Sequence, residues 1–535
     1  MLVPEIARMK VRAVHDLELK KFALERPRTI ALLERARAHM SNGVPMAWMA
    51  IDNEVPVYVE RGEGAGFTDV DGHRYLDVNV ADMSMFCGYG HPEIVEAVAR
   101  RAREGTQFLL PTREAVEVAE ELAGRYPVPF WQFTLSASQA NVEAIRVARA
   151  ATGREVALLF DGHYHGHFDE GLIDLQDGQL VPAQRGLAKA TPGKIRIAQF
   201  NDVEGLRRAL APRDVAIVLT EPALTNNLHL LMPQPGWHEA LRALTRETGT
   251  VLAIDETHTH VVGHGGATRW FGLQPDIVTI GKSIAGGVPL GAYGMIVPLA
   301  SEIDARREPF AATGGTLFGN PLSMAAALAA LTKVLTPAAY DHTAALGARL
   351  ADGIETAIRD AGLPWTAQRF GPRSGHWYGP EPKTGQEALE LRDRLLTWTQ
   401  RLWMANRGVW EGCPARGRRW PCPRARRTWS AISMLTRRSC ARWRAETASS
   451  AYLDLDWQIS QKRNLACTVV MVEDVASAGK ARPGWKYPPV SRSSNSLRGS
   501  YPTTRSHSLP RRRSRPEGLA SSSVFSSRCD GTSWR

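Results

Sequence analysis

Hydrophobic and polar positions follow two alternating patterns over the first 412 residues. Four short runs are almost continuously apolar, which is typical of parallel strands that are buried on both faces. They are Glu155–Phe160, Val215–Thr220, Thr250–Asp255 and Asp276–Ile280. Amphipathic segments with a helical period lie between them, at Asn141–Arg154 and Trp237–Thr248. This alternation predicts an open α/β sheet, and such sheets bind ligands beyond the carboxyl ends of their strands.

The flanking regions follow other patterns. Residues 1–41 indicate a charged helical arm, and Val57–Asp77 indicates strands around a Gly-rich turn. After Gly412 the periodicity is lost, and a later Ser/Arg/Pro-rich stretch is typical of disorder. We therefore predict four parts: an arm with part of a small domain (1–75), a ligand-binding large domain (76–321), an incomplete C-terminal small domain (322–412) and an aberrant basic tail (413–535).

Composition changes this picture mainly at the tail. The chain has 535 residues, 44% of them hydrophobic and 23% charged, as in soluble globular proteins. No apolar run approaches the ~18 residues that span a bilayer, and the charged N-terminus is unlike a secretory signal. Residues 413–535 hold 24 Lys and Arg against 7 Asp and Glu, whereas the preceding part holds 42 against 48. The prediction is a mildly acidic cytoplasmic protein followed by a different segment.

Three local features could carry chemistry. Lys282 follows an apolar strand beside two glycines, where a partly desolvated amine attacks carbonyls. Asp255 ends another strand and could hold a protonated ring nitrogen. Ser136-Ala137-Ser138 precedes a helix, whose N-terminus attracts phosphate. Each alone is also a common structural feature: a surface lysine, a turn carboxylate and a helix cap. Together they meet the three requirements of pyridoxal phosphate.

Seven segments in this order resemble class III pyridoxal-phosphate-dependent aminotransferases, especially the branch that resembles glutamate-1-semialdehyde aminomutase. The segments are FTDVDGHRYLDVN with GYGHPEIVEAV, FTLSASQANVEAIRVARAATGR, FDGHYHGHFD, LTEPALTNN, AIDETHT, PDIVTIGKSIAGGVPLGAYG and GGTLFGNPLSMAAALAAL. The resemblance covers about residues 40–412. It implies the α/β architecture of fold type I, with a mostly parallel sheet in the large domain and a smaller α+β domain.

The resemblance also implies roles for the matching residues. Lys282 would carry the cofactor as a Schiff base and move the proton, and Asp255 would pair with the pyridine nitrogen. The other implied cofactor-binding residues are Ser136, Ala137 and Ser138 at the phosphate, Tyr164 stacked on the ring, Asn226 near its 3′-oxygen, Thr257 against its face, and Thr316 at the phosphate of a neighbouring subunit. The last role implies a homodimer with active sites at the interface.

Several positions depart from the family pattern. Ala137 replaces a glycine and Thr257 replaces a valine. Trp48 and Met49 stand where aminomutases place an arginine that holds the substrate carboxylate. These apolar side chains favour a donor with an aromatic or aliphatic group over aminomutase activity. Candidates for holding a carboxylate are Arg373 and Arg269.

Two histidine clusters suggest zinc by their spacing, but their ligand sets are incomplete, so we predict no metal site. The clusters are His163, His165 and His167, and His258, His260 and His264. His165 and His258 are expected to be polar groups beside the cofactor.

The predicted reaction is transamination from an amino donor to a carbonyl acceptor. A racemase, decarboxylase or aminomutase with the same fold is an alternative, as is an inactive product. The tail has three interpretations: a segment that binds nucleic acid non-specifically, a zinc module with five cysteines, or a product of a shifted reading frame. We favour the third, in which the small domain lacks its last strand and helix.

Overall fold

A computed structural model of the chain describes residues 5–51, 55–225 and 228–411. Its helices are α1 (Glu5–Leu24), α2 (Pro27–Arg37), α3 (Trp48–Ile51), α4 (Pro92–Glu104), α5 (Arg113–Arg125), α6 (Ala137–Thr152), α7 (Val203–Leu210), α8 (Trp237–Thr248), α9 (Gly266–Trp270), α10 (Val297–Ala300), α11 (Pro321–Ala329), α12 (Pro337–Asp360), α13 (Gly385–Glu390) and α14 (Arg394–Ala405). The predictions for Asn226 and for the tail at 413–535 lie outside the described residues.

The strands are β1 (Val59–Glu63), β2 (Gly66–Asp69), β3 (Arg74–Asp77), β4 (Phe130–Thr134), β5 (Val156–Phe160), β6 (Ile173–Gln176), β7 (Gln179–Pro182), β8 (Ile195–Ala198), β9 (Val215–Thr220), β10 (Val251–Asp255), β11 (Ile277–Ile280), β12 (Gly291–Met295), β13 (Thr366–Phe370), β14 (Arg373–Trp377) and β15 (Val409–Trp410). β5, β9, β10 and β11 coincide, within one residue at each end, with the four apolar runs, so that prediction is confirmed.

The central sheet has seven strands in the order β4-β12-β11-β10-β9-β5-β8. β12 runs antiparallel to β4 and β11, whereas the pairs from β11 to β8 are parallel. Every residue of β9, β10 and β11 is buried. The mostly parallel sheet predicted from the apolar runs is therefore confirmed, and the carboxyl ends of its parallel strands share one edge.

Helices cover both faces of this sheet. On one face α6 contributes Ala144 and Val147 to a core with Leu219 of β9. On the other face α7 and α8 pack Leu206 and Leu241 against the same sheet. Each buried CH₂ group contributes about 0.8 kcal/mol, so this double cover explains why the strands carry almost no polar residues.

Helix α6 begins at Ala137, four residues before the amphipathic stripe predicted from Asn141. The side chain of Ser136 accepts a hydrogen bond from the backbone N–H of Gln139, which caps the helix before the apolar stripe starts. The helix ends where Gly153 adopts a left-handed conformation. The N-terminus of α6 is thereby fixed at the edge of the sheet where β4 ends.

A second sheet joins the first three strands of the chain to the last described strand. Its order is β1-β2-β3-β15, and β15 pairs in parallel with β3. Helix α1 packs on α14, where Asn406 and Arg407 donate hydrogen bonds to Glu18. The domain boundaries at 75, 321 and 412 remain a prediction.

Among the described residues, no single helix is long and apolar enough to cross a membrane. One bent pair, Pro321–Val334 with Pro337–Asp360, passes that test together by length and composition.

Candidate active site

A cavity of about 300 Å³ opens where the parallel strands end. Its walls come from the segments that follow β4, β5, β9, β10 and β11, as expected for an open α/β sheet. The lining residues are Trp48, Asp82, Ser84, Leu135, Ser136, Ala137, Ser138, Tyr164, His165, Gly166, Glu221, Asp255, Thr257, His258, Lys282, Gly287, Val288, Pro289 and Leu290. The volume suits a small organic ligand.

The cavity brings together seven of the nine residues predicted at the site. They are Ser136, Ala137, Ser138, Tyr164, Asp255, Thr257 and Lys282. Asn226 lies outside the described residues. Thr316 does not line the cavity: it is exposed, and its carbonyl accepts a hydrogen bond from Gln107. Its role at a neighbouring subunit stays a prediction.

We call Asp255, Asn141, His165 and Thr257 the floor of the cavity. The buried Asp255 carboxylate accepts hydrogen bonds from His165 Nδ1 (2.8 Å), Asn141 Nδ2 (2.9 Å) and the backbone N–H of Thr257 (2.9 Å). Burial works to raise the pKa of Asp255, but His165 and the Thr257 hydrogen bonds outweigh it, so this pKa lies below its ordinary value. Asp255 therefore keeps its charge in a dry environment.

Asn141 is a floor residue that the sequence analysis missed. Its Nδ2 also donates to the carbonyl of His165 (2.7 Å), and its Oδ1 accepts from the Thr279 hydroxyl (2.6 Å). It thus locks α6 to β10 and β11 beneath Asp255. A polar residue one turn into a helix, inside its apolar stripe, was the signal that could have identified it.

Glu221, which follows β9, is a second buried carboxyl group that sequence reasoning missed. Burial raises its pKa to about 7, the nearby negative charge of Asp255 adds to the rise, and hydrogen bonds from Thr225 oppose it. The pKa values of the two acids therefore shift in opposite directions. Asp255 is ionised, while Glu221 holds its proton at slightly acidic pH.

Three glycines let other backbone approach the N-terminus of α6. A Cβ at Gly166 would lie 2.1 Å from Ser138 Oγ, and one at Gly291 would lie 2.3 Å from the backbone of Ser136. A Cβ at Gly281 would lie 3.0 Å from the Cβ of Ala137. These close contacts enclose a helix N-terminus whose amides can bind an anion. Because Gly281 has no Cβ, the methyl group of Ala137 fits beside it.

Lys282 lies one residue beyond the end of β11, after Gly281, at the first position of a short 3₁₀ helix, Lys282–Ala285. Its backbone φ is +58°, an unusual value for a residue with a Cβ. Its Nζ donates a hydrogen bond to Oδ2 of Asp82 at 2.6 Å. Asp82 was not among the sequence candidates, because its loop precedes Lys282 by 200 residues.

We call Trp48, Tyr164 and Asp82 the mouth of the cavity. The Trp48 ring meets the Tyr164 ring edge to face, with centroids 5.6 Å apart. Met49 is exposed and is not among the lining residues. The mouth therefore combines two aromatic rings with one carboxylate.

The two arginines predicted as carboxylate holders differ in their distance from the cavity. Arg373 contacts His258 Nδ1 at 3.5 Å and donates to the carbonyl of Thr225, and its charge interacts with those of Glu221 and Asp82 in the cavity wall. Arg269 is exposed beside His264. Neither arginine lines the described cavity.

The residues present fit pyridoxal phosphate. Asp255 stays ionised where a pyridinium N–H needs a partner, and the glycine-lined helix N-terminus suits a phosphate. The buried His165 Nε2 lacks a hydrogen-bond partner among the described residues, as expected of a group that faces a ligand. The site and sheet are those of a pyridoxal-phosphate-dependent enzyme of fold type I.

The family model "Aminotransferase class-III" matches residues 49–362, and the chain belongs to this family. It is 35% identical over 379 residues to a glutamate-1-semialdehyde 2,1-aminomutase of Laribacter hongkongensis, covering 68% of this chain and 87% of that protein. The Pseudomonas aeruginosa glutamate-1-semialdehyde-aminomutase in complex with PMP matches with a TM-score of 0.72 and 34% identity, over 81% of this chain and 98% of that one. An omega-transaminase from Sphaerobacter thermophilus matches with a TM-score of 0.66 and 30% identity, over 76% of this chain and 97% of that one.

Proposed function

We propose that this enzyme transfers the amino group of an amine or amino acid with an apolar substituent to a carbonyl acceptor, with Lys282 as its catalytic lysine. The observation that carries the proposal is the meeting of Lys282, ionised Asp255 and the α6 N-terminus in one cavity. The aromatic mouth supports the apolar substituent, since Trp48 and Tyr164 offer area without charge.

When bound, pyridoxal phosphate supplies a carbonyl carbon that condenses with amines and a ring that withdraws electrons from the substrate carbon. Lys282 would hold this carbon and then move a proton as a general base through Nζ. Asp255 would keep the ring nitrogen protonated, while Asn141 and His165 fix the orientation of its carboxylate.

The remaining proposed contacts hold the cofactor in place. The α6 N-terminus at Ser136, Ala137 and Ser138 would bind the phosphate through backbone amides and hydroxyls. Tyr164 and Thr257 would enclose the ring. The contacts proposed for Asn226 and Thr316 rest on the family resemblance alone.

Aminomutase activity is the second candidate, because both the curated relative and the solved structure with the higher TM-score carry that name. The mouth argues against it: Trp48 and Met49 stand where aminomutases place an arginine that holds the substrate carboxylate, and none of the described residues lining the cavity is an arginine. A single-turnover experiment separates the two, because a transaminase releases a carbonyl product and leaves pyridoxamine phosphate, whereas an aminomutase releases an isomer of its substrate.

A homodimer and a cytoplasmic location belong to the proposal as well. Large exposed apolar side chains at Phe108, Leu109, Leu110 and Leu317 lie close along the chain to Gln107 and Thr316, whose contact joins these segments. Sedimentation velocity of the purified chain tests the dimer, and cell fractionation tests the location.

The visible absorption spectrum of the full-length chain with pyridoxal phosphate tests the role of Lys282. We expect a visible band that borohydride bleaches. Reduction should leave the cofactor covalently attached to the peptide that contains Lys282, which peptide mapping locates. Lys282→Ala should lose the band and at least about 1,000-fold of activity, because proton transfer and cofactor attachment are lost together. Lys333→Ala, at a surface lysine paired with Glu93, is the matched control.

Retention of the band in Lys282→Ala would overturn the assignment. Soluble parent protein without any band would instead favour the inactive product, and resequencing of the coding region beyond codon 412 would then test the shifted frame.

A further inference from the structure

His260 is a buried histidine that the proposed chemistry does not use. It is 1% exposed, begins the 3₁₀ helix His260–Val262 and is not among the residues that line the cavity. Its Nε2 lies 3.1 Å from the hydroxyl oxygen of Ser283, which is fully buried. Because Ser283 directly follows Lys282, this contact connects the segment beyond β10 to the backbone that carries the amine.

The backbone beside this contact is strained. Lys282 has φ of +58°, which residues with a Cβ rarely adopt, and such a conformation persists only where surrounding contacts hold it. Ser283 is held at two points. Its hydroxyl meets His260, and its carbonyl accepts hydrogen bonds from the Gly286 N–H at 2.9 Å and from Cys87 Sγ at 3.6 Å. The residue after Lys282 is therefore fixed at both its side chain and its carbonyl.

The segment that carries His260 is anchored next to Asp255. The backbone N–H of His260 donates to the carbonyl of Glu256 at 2.8 Å, and the buried Glu256 carboxylate accepts from the Thr259 hydroxyl at 2.6 Å. Glu256 directly follows Asp255 in the chain. The contact between His260 and Ser283 thus joins the segments that carry Asp255 and Lys282, the two groups proposed to act on the cofactor.

The His260 ring is neutral. Burial, with smaller contributions from the positive charges of Arg125 and Lys282, lowers the pKa of His260 to about 3. A neutral ring makes its hydrogen bond to the Ser283 hydroxyl without bringing a positive charge toward the Lys282 amine. A charged side chain at the same place would repel that amine. The ring therefore holds the backbone without changing the charge around Lys282.

We propose that His260 is a positioning residue, which acts through Ser283 to fix the direction in which the Lys282 side chain leaves the sheet edge. A reacting group displaced by about 1 Å can lose on the order of 100-fold in rate, so a contact away from the reacting atoms can control catalysis. The inference rests on the proposed function, because it takes Lys282 as the residue that moves the proton.

Removing either partner of the contact tests the proposal on the holoenzyme. Ser283→Ala removes only the hydroxyl, and His260→Leu removes the ring nitrogens. In single turnovers with benzylamine, each variant should lower the maximal rate at least about tenfold and change the half-saturating concentration less than about threefold. Proton transfer is then misaligned while the binding contacts remain.

Visible circular dichroism of the cofactor band gives a second measurement, which needs no donor. It depends on how Lys282 holds the chromophore in the cavity, so it should change in both variants. It therefore decides the matter even where benzylamine reacts slowly with the parent.

Three further variants separate positioning from a general loss of packing. His260→Gln keeps a side-chain amide near the place of Nε2 and should recover to within about threefold of the parent rate. The double variant His260→Leu/Ser283→Ala should lose no more than the worse single variant, because both changes act through one contact. His264→Leu, in the same histidine cluster but partly exposed beside Arg269, should behave like the parent.

Losses that add in the double variant overturn the proposal, as does a Ser283→Ala variant with the rate and dichroism of the parent. If His260→Leu does not fold, Ser283→Ala and His260→Gln still decide between the outcomes. Failure of the proposed function is seen separately and earlier, as a parent that forms no borohydride-sensitive band before any variant is compared.

Discussion

The floor and the mouth of the cavity are built in different ways. At the floor Asp255 is buried, takes hydrogen bonds from two side chains and one backbone amide, and sits on strand ends between packed helices. At the mouth Asp82 is 64% exposed and stands on a strained turn, and Trp48 lies on the four-residue helix α3. At the floor, packing holds the Asp255 carboxylate in one position. At the mouth, selectivity depends on exposed segments whose sequence can change without disturbing the core.

Between the floor and the mouth, the largest expected effect lies at the floor. Asp255→Asn keeps the shape but removes the negative charge that holds a ring proton, so kcat should fall about 100–1,000-fold. Cofactor should still bind, because the α6 N-terminus is unchanged. Single-turnover kinetics with the holoenzyme measure the fall, and a loss smaller than about tenfold would mean that the ring proton needs no carboxylate partner.

The glycine contacts at the phosphate end offer a matched pair. Gly166→Ala places a Cβ 2.1 Å from Ser138 Oγ, so the affinity for pyridoxal phosphate should fall about tenfold or more. Gly178→Ala also replaces a glycine with positive φ, +75° against +113° at Gly166, but the new atom has nothing within 4 Å. Titrating the two cofactor-free variants with pyridoxal phosphate, followed by absorbance, compares their affinities. Equal affinities would show that the close approach at Gly166 does not affect phosphate binding at the α6 N-terminus.

At the mouth a smaller and selective effect is expected. Trp48→Ala removes the ring that packs on Tyr164, so kcat/KM for benzylamine should fall about tenfold while that for ethylamine changes little. Met49→Ala, at an exposed neighbour outside the cavity, is the control. Equal losses for the two amines would indicate that Trp48 supports the structure rather than the substrate.

Glu221 gives a still smaller effect, on stability. Because its pKa is raised to about 7, folding favours the protonated form, and the stability it contributes is lost as pH rises from about 4.5 to 7. Glu221→Gln should therefore raise the unfolding temperature by a few degrees at pH 8 and hardly at pH 5. Glu120→Gln on the exposed side of α5 is the control, and the same shift at both pH values would contradict the raised pKa.

Much of the fold followed from local patterns. The apolar runs marked β5, β9, β10 and β11, because strands covered on both faces cannot carry polar residues. The apolar stripe at Asn141 begins four residues after the first residue of α6, so periodicity alone does not mark the start that the Ser136 cap sets. A cap depends on one hydrogen bond, which hydrophobic periodicity does not reveal.

The sequence by itself determined the strand-end positions of Lys282 and Asp255, because each directly follows or ends an apolar strand and parallel strands share an edge. It also identified the helix N-terminus at Ser136. Only the tertiary structure decided what surrounds them. Asn141, Glu221 and Asp82 enter the site through contacts that span up to 200 residues, and Arg373 and Arg269 fall outside the cavity wall. Local pattern fixes which edge of the sheet a side chain reaches, whereas its partners depend on how distant segments pack.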